Sequence, residues 1–146
     1  MKQNVRIKLL RQNALCPSYQ SESAAGADLY ASLDAPVSVA PGQTVFVPTG
    51  VAMEIPQGFV GLVCARSGLA CKRGLAPANK VGVIDSDYRG EIMVALYNHG
   101  SDSVEISDGE RIAQILLVPY LTAEFEECEE LSDTVRGSGG FGSTGK

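Results

Sequence analysis

The sequence predicts an all-β fold, a jelly-roll-like antiparallel sandwich or barrel with one short helix and a mobile, glycine-rich C-terminal tail. Short stretches rich in Val and Ile alternate apolar with polar residues, as half-buried strands do. Turn formers such as Pro41-Gly42 separate these stretches, and no long helical pattern lies between them. The predicted strands are residues 5–9, 37–39, 44–47, 59–64, 91–97, 104–106 and 111–118.

One segment departs from the strand pattern. Ser67 is a good N-cap residue, Lys72 and Arg73 lie near the end of the segment, and Gly74 is a common stop signal. We therefore predict a short helix from Ser67 to Gly74.

The C-terminal segment changes in composition after Tyr120. An acidic stretch at 124–133 leads into a glycine-rich run at 136–146, which contributes little to a core. We predict a folded domain at residues 1–134 and a flexible tail at 135–146. The tail contains GxGxxG and the beginning of a Walker A pattern, but neither has the strand before it and the helix after it that its function requires.

Composition limits the possible functions. The chain has 146 residues, which suits one domain, and a net charge of -5, which argues against a nucleic-acid polymer as partner. No apolar run reaches the roughly 20 residues that span a membrane. The four cysteines form no CxxC pair and the chain has one histidine, so a zinc site is not expected. Without a secretory signal, reduced thiols in a cytoplasmic protein are the expectation.

Two segments carry candidate chemistry. Arg66, Ser67 and Gly68 stand where a strand runs into the predicted helix, and a helix start beside an arginine can bind phosphate. The alternative is a plain capped turn with a surface arginine. The segment 79–90 reads most simply as a hairpin with acidic turn residues, but its glycines would let the backbone approach a planar base, and a carboxylate such as Asp85 could orient water.

Five motifs, in order and with natural spacing, resemble those of the trimeric deoxyuridine triphosphatase family over almost the whole chain. They are residues 25–31 (AGADLYA), 65–70 (ARSGLA), 82–90 (GVIDSDYRG), 109–114 (GERIAQ) and 136–145 (RGSGGFGSTG). Ala65 stands where many members of the family have proline. The resemblance implies a homotrimer that uses Mg²⁺ to hydrolyse dUTP to dUMP and pyrophosphate. Such an enzyme keeps uracil out of DNA and supplies dUMP for thymidylate synthesis.

The resemblance also implies roles for individual residues. Asp85 orients and activates the attacking water, and Asp28 acts through water at the metal or by positioning its neighbours. The implied substrate-binding residues are Arg66, Ser67, Gly68 and Gln114 for the phosphates, Asn79, Gly82, Val83, Ile84, Tyr88 and Met93 for the nucleoside, and Arg136, Phe141, Gly142, Ser143 and Thr144 in the closing tail. Each site would take the second motif from one subunit, the third motif from another, and the tail from the third.

Two other functions fit parts of the same pattern. A dCTP deaminase shares the fold and substrate type, but the segment 109–114 and the tail around Phe141 match the triphosphatase better. A non-catalytic β-module that binds nucleotides would not need Asp85.

Overall fold

The computed structural model describes residues 3–140. These residues form eleven strands and one helix. The elements are β1 (Arg6–Leu9), β2 (Ala27–Tyr30), β3 (Val37–Val39), β4 (Thr44–Pro48), β5 (Val51–Glu54), β6 (Phe59–Cys64), α1 (Ser67–Arg73), β7 (Leu75–Pro77), β8 (Gly82–Ile84), β9 (Met93–Asn98), β10 (Val104–Ile106) and β11 (Arg111–Pro119).

The strands pair antiparallel in four small sheets around one core. The largest sheet has the order β2-β11-β6-β8, a second has the order β4-β9-β7, and β1-β5 and β3-β10 form two-stranded ladders. The prediction of an antiparallel all-β fold with one short helix is confirmed. No helix in the described part of the chain is long and apolar enough to cross a membrane.

Side-chain alternation explains how these strands share a core. In β9, Val94 and Leu96 are buried, whereas Met93 and Tyr97 on the opposite face are exposed. Each fully buried aliphatic side chain contributes roughly 1.5–3 kcal/mol relative to an exposed one. The period of two therefore fixes which face of β9 turns inward.

Besides β8, which falls within the hairpin predicted at residues 79–90, three strands were missing from the sequence prediction, for different physical reasons. The strands β2 and β5 are four residues long, with their first three residues buried, so they show no alternation of apolar and polar positions. The strand β7 has three residues and ends in Pro77, which suits its place at the edge of the β4-β9-β7 sheet.

The predicted short helix is confirmed, but its predicted N-cap is wrong. Arg66 occupies the N-cap position in extended conformation, without a side-chain capping bond, and Ser67 is already the first helical residue. Gly74 ends the helix at φ 71° and donates its N–H to the carbonyl of Leu69. A Cβ at Gly74 would lie 2.9 Å from the backbone nitrogen of Gly100, so this turn needs glycine for two reasons.

The hairpin predicted around residues 79–90 is only partly correct. The turn exists, since the Tyr88 N–H donates to the carbonyl of Asp85. The flanking strands, however, are not partners: β8 pairs with β6, and β9 lies between β4 and β7. The acidic turn therefore connects two sheets and leaves Asp85 immediately after the end of β8.

Buried Asn98 joins three segments and offers a test of the packing. Its amide donates to the carbonyls of Val39 and Asp102 at 2.8 Å each, and its side-chain oxygen accepts from the Gly100 N–H at 2.9 Å. Because Asn98→Ala leaves these groups unpaired, we expect it to lower the free energy of unfolding by about 3 kcal/mol in urea titrations. The neighbouring exposed residue gives the control, His99→Ala, expected within about 0.5 kcal/mol of the parent. Equal effects of the two changes would contradict this role.

After β11, the described residues 120–140 contain no strand or helix, and nearly all of their side chains are exposed. They include large apolar side chains, since Leu121 is 99% and Phe125 94% exposed. The domain boundary between residues 134 and 135 stays a prediction.

Candidate functional site

A small pocket, of about 240 Å³, lies where β6 runs into α1. We call it the arginine pocket. Its lining residues are Gln20, Ala24, Gly26, Asp28, Arg66, Ser67, Gly68, Arg111 and Gln114. The fold thus brings together all four residues that the sequence predicts for the phosphates, together with Asp28.

A buried carboxylate between two arginines organises this pocket. Asp28 is 5% exposed and accepts from Arg66 Nε at 2.7 Å and from Arg111 Nη1 at 3.3 Å. Arg66 Nη1 also donates to the backbone oxygen of Arg111 at 3.2 Å. One negative and two positive charges leave a net positive pocket, which favours an anionic ligand.

Gln114 is held in one orientation on the other side of the pocket. Its Nε2 donates to the carbonyl of Ala65 at 2.8 Å, and a carbonyl can face only the NH₂ end of an amide. The side chain packs against Gly26, where an added Cβ would lie 2.4 Å from Gln114 Oε1. Gly26 therefore leaves the space that Gln114 occupies.

A second, larger cavity of about 830 Å³ contains the acidic turn. We call it the aspartate cavity. Its lining residues are Asn4, Arg6, Glu54, Ile55, Pro56, Gln57, Asp85, Ser86, Asp87, Arg89 and Tyr120. The hydrogen bond from the Arg6 guanidinium lowers the pKa of the Glu54 carboxyl. Arg89 donates to the carbonyls of Ser86 and Tyr88 at 2.7 and 2.9 Å and so braces the turn.

The two cavities lie at opposite ends of β6 and share no lining residue. Gly61 is paired with Ile84, so Asp85 stands beside Val60, six positions before Arg66. Six residues of extended chain cover about 20 Å at roughly 3.3 Å per residue. Asp85 and Arg66 of one chain therefore do not face a common ligand atom.

The residues predicted to bind a nucleoside lie on and beside the acidic turn. Val83 is 61% exposed and Tyr88 45% exposed, so both offer apolar surface to a ligand. Tyr88 Oη donates to the carbonyl of Glu91 at 2.9 Å, which holds the ring over Gly90. Of the remaining predicted residues, Asn79 and Met93 are exposed, Ile84 is half-buried and Gly82 is buried.

The predicted tail residues are described only in part. Arg136 Nε donates to the carbonyl of Gly139 at 2.9 Å, and the described hydrogen bonds of this turn stay within residues 134–139. The interpretations of Phe141, Gly142, Ser143 and Thr144 fall outside the described residues.

Among the residues that the structure describes, no group of three or more His, Cys, Asp or Glu side chains could hold a metal ion. Both oxygens of Asp28 accept from arginines. A Mg²⁺ ion held mainly by ligand phosphates and water fits this donor set, whereas a carboxylate cage does not. The water-mediated metal contact predicted for Asp28 stays a prediction.

Sequence reasoning missed two features of the arginine pocket. Arg111 belongs to the fourth motif, but the motif did not predict a role for it. The direction of its side chain depends on a register shift in β11 between residues 111 and 113. Gln20 lines the pocket from an irregular loop, and no pattern in the sequence marks it.

Comparison with known proteins agrees with these observations. The family model described as dUTPase matches residues 12–145. The deoxyuridine 5'-triphosphate nucleotidohydrolase of Desulfitobacterium hafniense (strain DSM 10664 / DCB-2) is 56% identical over 130 residues, which cover 88% of this chain and 86% of the relative.

Solved structures agree as well. A Staphylococcus bacteriophage 80alpha dUTPase with dUPNHPP superposes with a TM-score of 0.92 at 31% identity, covering 99% of this chain and 100% of the other. A dUTPase from phage phi11 of S. aureus, described with a structural Mg(II) ion, superposes with a TM-score of 0.81 at 25% identity. The match covers 90% of this chain and 100% of the other. These neighbours confirm the predicted fold class. With the family model and the relative, they show that the chain belongs to the dUTPase family.

Proposed function

We propose that this protein hydrolyses dUTP to dUMP and pyrophosphate, with Mg²⁺ carried on the triphosphate, in a homotrimer whose active sites lie between subunits. Family membership supports the reaction, as does the solved relative with dUPNHPP. One observation supports the proposal of active sites between subunits. The predicted site is divided into two halves, the arginine pocket and the aspartate cavity, at opposite ends of β6.

The arginine pocket would hold the phosphate chain. Arg66 supplies charged N–H groups, the first residues of α1 supply backbone N–H groups, and Gln114 has a second amide hydrogen besides the one donated to Ala65. Fixed donors of this kind stabilise charge on phosphate oxygens without reorganising during the reaction. Phosphoryl transfer depends mostly on such positioning.

Asp85 would supply the reacting water. Carboxylates are weak bases at neutral pH, so Asp85 acts mainly by orienting a water in line with the α-phosphorus and accepting its proton. The water oxygen forms a bond to the α-phosphorus, and the bond from that phosphorus to the bridging oxygen breaks. The electron pair of that bond leaves on pyrophosphate, and dUMP keeps the oxygen of the water.

Selectivity would come from the acidic turn and the strand before it. The backbone around Gly82, Val83 and Ile84, with the amide of Asn79, pairs with the uracil edge and leaves groups unpaired against cytosine. The tight fit of this backbone around the base excludes the methyl group of thymine. The exposed ring of Tyr88 packs under the deoxyribose and excludes a 2′-hydroxyl, while Met93 lies near the same pocket.

Bound Mg²⁺ supplies neutralisation of phosphate charge. Oxygens of the substrate and water would hold it, because both Asp28 oxygens already accept from arginines.

The homotrimer joins the two halves of the site. A triphosphate bound in one subunit's arginine pocket would meet the Asp85 of a second subunit. The tail 135–146 of the third subunit would close over both, with Phe141 stacked on the base and Arg136, Gly142, Ser143 and Thr144 around the γ-phosphate. We place this enzyme in the cytoplasm, where it removes dUTP and supplies dUMP.

The reaction is tested by incubating the protein and Mg²⁺ with dUTP, dCTP, dTTP or UTP, and assaying pyrophosphate and ammonia separately. We expect pyrophosphate from dUTP and at most traces from the others. Ammonia from dCTP would contradict the proposal and indicate a deaminase. Release of neither product from any of the four nucleotides would contradict it in favour of a binding module.

A further inference from the structure

Glu91 directly follows the third motif, at residues 82–90, and the family resemblance gives it no role. Its half-buried side chain reaches the corner between β4 and β5, which we call the Gly50 corner (residues 49–51). There Glu91 Oε1 accepts from the backbone N–H of Gly50 at 2.8 Å and pairs with Arg11 Nε at 3.4 Å. The carboxylate thus ties the end of the acidic turn to a distant part of the chain.

Gly50 is a fixed anchor for this carboxylate. It is buried at φ 67°, and an added Cβ would lie 2.5 Å from the Cβ of Ala14 and 3.1 Å from Ser32 Oγ. Its carbonyl accepts from the Leu10 N–H at 2.7 Å. A buried backbone N–H needs a partner, and a carboxylate is a strong one. The bond between Gly50 and Glu91 therefore joins two well-packed segments.

The Gly50 corner also holds the peptide unit that joins residues 91 and 92. The Ile92 N–H donates to the carbonyl of Val51 at 2.8 Å, and Thr49 Oγ1 donates to the carbonyl of Ile92 at 2.6 Å. Because a peptide bond is planar, a fixed Ile92 N–H also fixes the direction of the Glu91 carbonyl. This carbonyl is the group that accepts from Tyr88 Oη at 2.9 Å.

The ring of Tyr88 depends on this acceptor for its position. The ring lies so close to the backbone that a Cβ at Gly90 would be 2.5 Å from Tyr88 Oη. In the described part of the chain, the bond to Glu91 is the one hydrogen bond that the Tyr88 hydroxyl makes. Since the side chain is also exposed, little else holds the ring in place.

We propose that Glu91 is a positioning residue for sugar selection. By holding the peptide that accepts from Tyr88, its carboxylate keeps the ring where it excludes a 2′-hydroxyl. This inference rests on the proposed function, because it takes the ring of Tyr88 to pack under the deoxyribose of dUTP.

The first test measures selection between dUTP and UTP. The readout is the ratio of kcat/KM for the two nucleotides, with UTP assayed at raised enzyme concentration. We expect Glu91→Ala to lower this ratio about tenfold, as the loss of one hydrogen bond to a charged group would. The kcat on dUTP should stay within about threefold of the parent, since Asp85 follows β8, whose pairing with β6 does not involve Glu91.

Two conservative variants show which property of the carboxylate matters. Glu91→Gln keeps a side-chain oxygen that can accept from the Gly50 N–H, so its ratio should stay within about twofold of the parent. Glu91→Asp keeps the charge but is one methylene shorter, so its ratio should fall about threefold. This comparison decides the proposal even if Glu91→Ala does not fold.

The control for lost stability is Asn98→Ala. The side chain of Asn98 bonds with Val39, Gly100 and Asp102, none of which belongs to the Gly50 corner or the acidic turn. This variant should keep the ratio within about twofold of the parent, because distant sites act independently.

The second test asks whether Glu91 acts through Tyr88. Tyr88→Phe removes the hydroxyl that bonds with the Glu91 carbonyl, so it should lower the ratio by itself. In a chain that already carries Tyr88→Phe, adding Glu91→Ala should change the ratio by less than about twofold, because two changes that break one contact are not additive.

The outcomes separate this inference from the proposed function. If the parent hydrolyses dUTP but Glu91→Ala keeps the parent ratio, the role of Glu91 is overturned. An equal fall in Asn98→Ala, a larger fall in Glu91→Gln than in Glu91→Asp, or an undiminished effect of Glu91→Ala on top of Tyr88→Phe would overturn it as well. If the parent does not hydrolyse dUTP, the proposed function itself has failed.

Discussion

Replacing Asp85 with asparagine is expected to lower kcat on dUTP by about 10²- to 10⁴-fold, the usual contribution of a positioned acid or base. Asparagine has nearly the same shape but cannot accept a proton from water. Asp85 lies outside the arginine pocket, so the phosphate contacts should persist. The dissociation constant of dUPNHPP, the dUTP analogue bound in the phage relative, should therefore change by less than about fivefold, because the lost interaction belongs to the transition state. Single-turnover kinetics with calorimetry measures both quantities.

Asp87 gives a matched comparison for this experiment. It has the same side chain, lies two residues away and lines the same cavity. We expect Asp87→Asn to keep kcat within about threefold of the parent, since surface changes away from the chemistry have small effects. A near-normal kcat for Asp85→Asn, or a large loss in Asp87→Asn alone, would contradict the role assigned to Asp85.

Much of the fold was predictable because burial on one face leaves a periodic pattern. The strand β9 shows it plainly, with Val94 and Leu96 inside and Tyr97 outside. The strand β2 shows none, since Ala27, Asp28 and Leu29 are all buried. Its pairing depends on the distant strand β11, which no local window of sequence contains.

The candidate site was predictable where its residues are neighbours in sequence. One strand ends at Cys64 and one helix begins at Ser67. A local stretch of sequence is therefore enough to predict that Arg66, Ser67 and Gly68 lie close together. The contact of Asp28 with Arg111 joins residues 83 positions apart, and it requires both the strand pairing and a register shift in β11. Local pattern also gives no reason to choose Asp85 over Asp87, and that choice came from the family resemblance.

The division of the site into two halves could not be predicted from spacing along the chain. Arg66 and Asp85 are separated by the short helix α1, a loop and two short strands, which is compatible with contact. The register of β8 on β6 decides the matter, because it sets Asp85 beside Val60 and directs the chain away from Arg66. This register is the physical reason to expect a site shared between subunits.

Complementation between two inactive variants tests the shared site directly. One chain carries Asp85→Asn and the other Arg66→Gln, and each alone should have no more than about 1% of the parent activity. The two chains are co-expressed with different tags, and oligomers that contain both are purified. If each site takes Asp85 from one subunit and Arg66 from another, some sites in the mixed trimers have both groups intact.

Every trimer that contains both chains has two of one kind and one of the other, so about a third of its sites, one in three around the ring, would have both groups intact. The measurement is pyrophosphate release from dUTP by the mixed oligomers, compared with each variant alone and with the parent. The shared-site account predicts recovery to about a third of the parent rate. Activity no higher than the mean of the two separate variants would show that Asp85 and Arg66 act within one chain, and would contradict it.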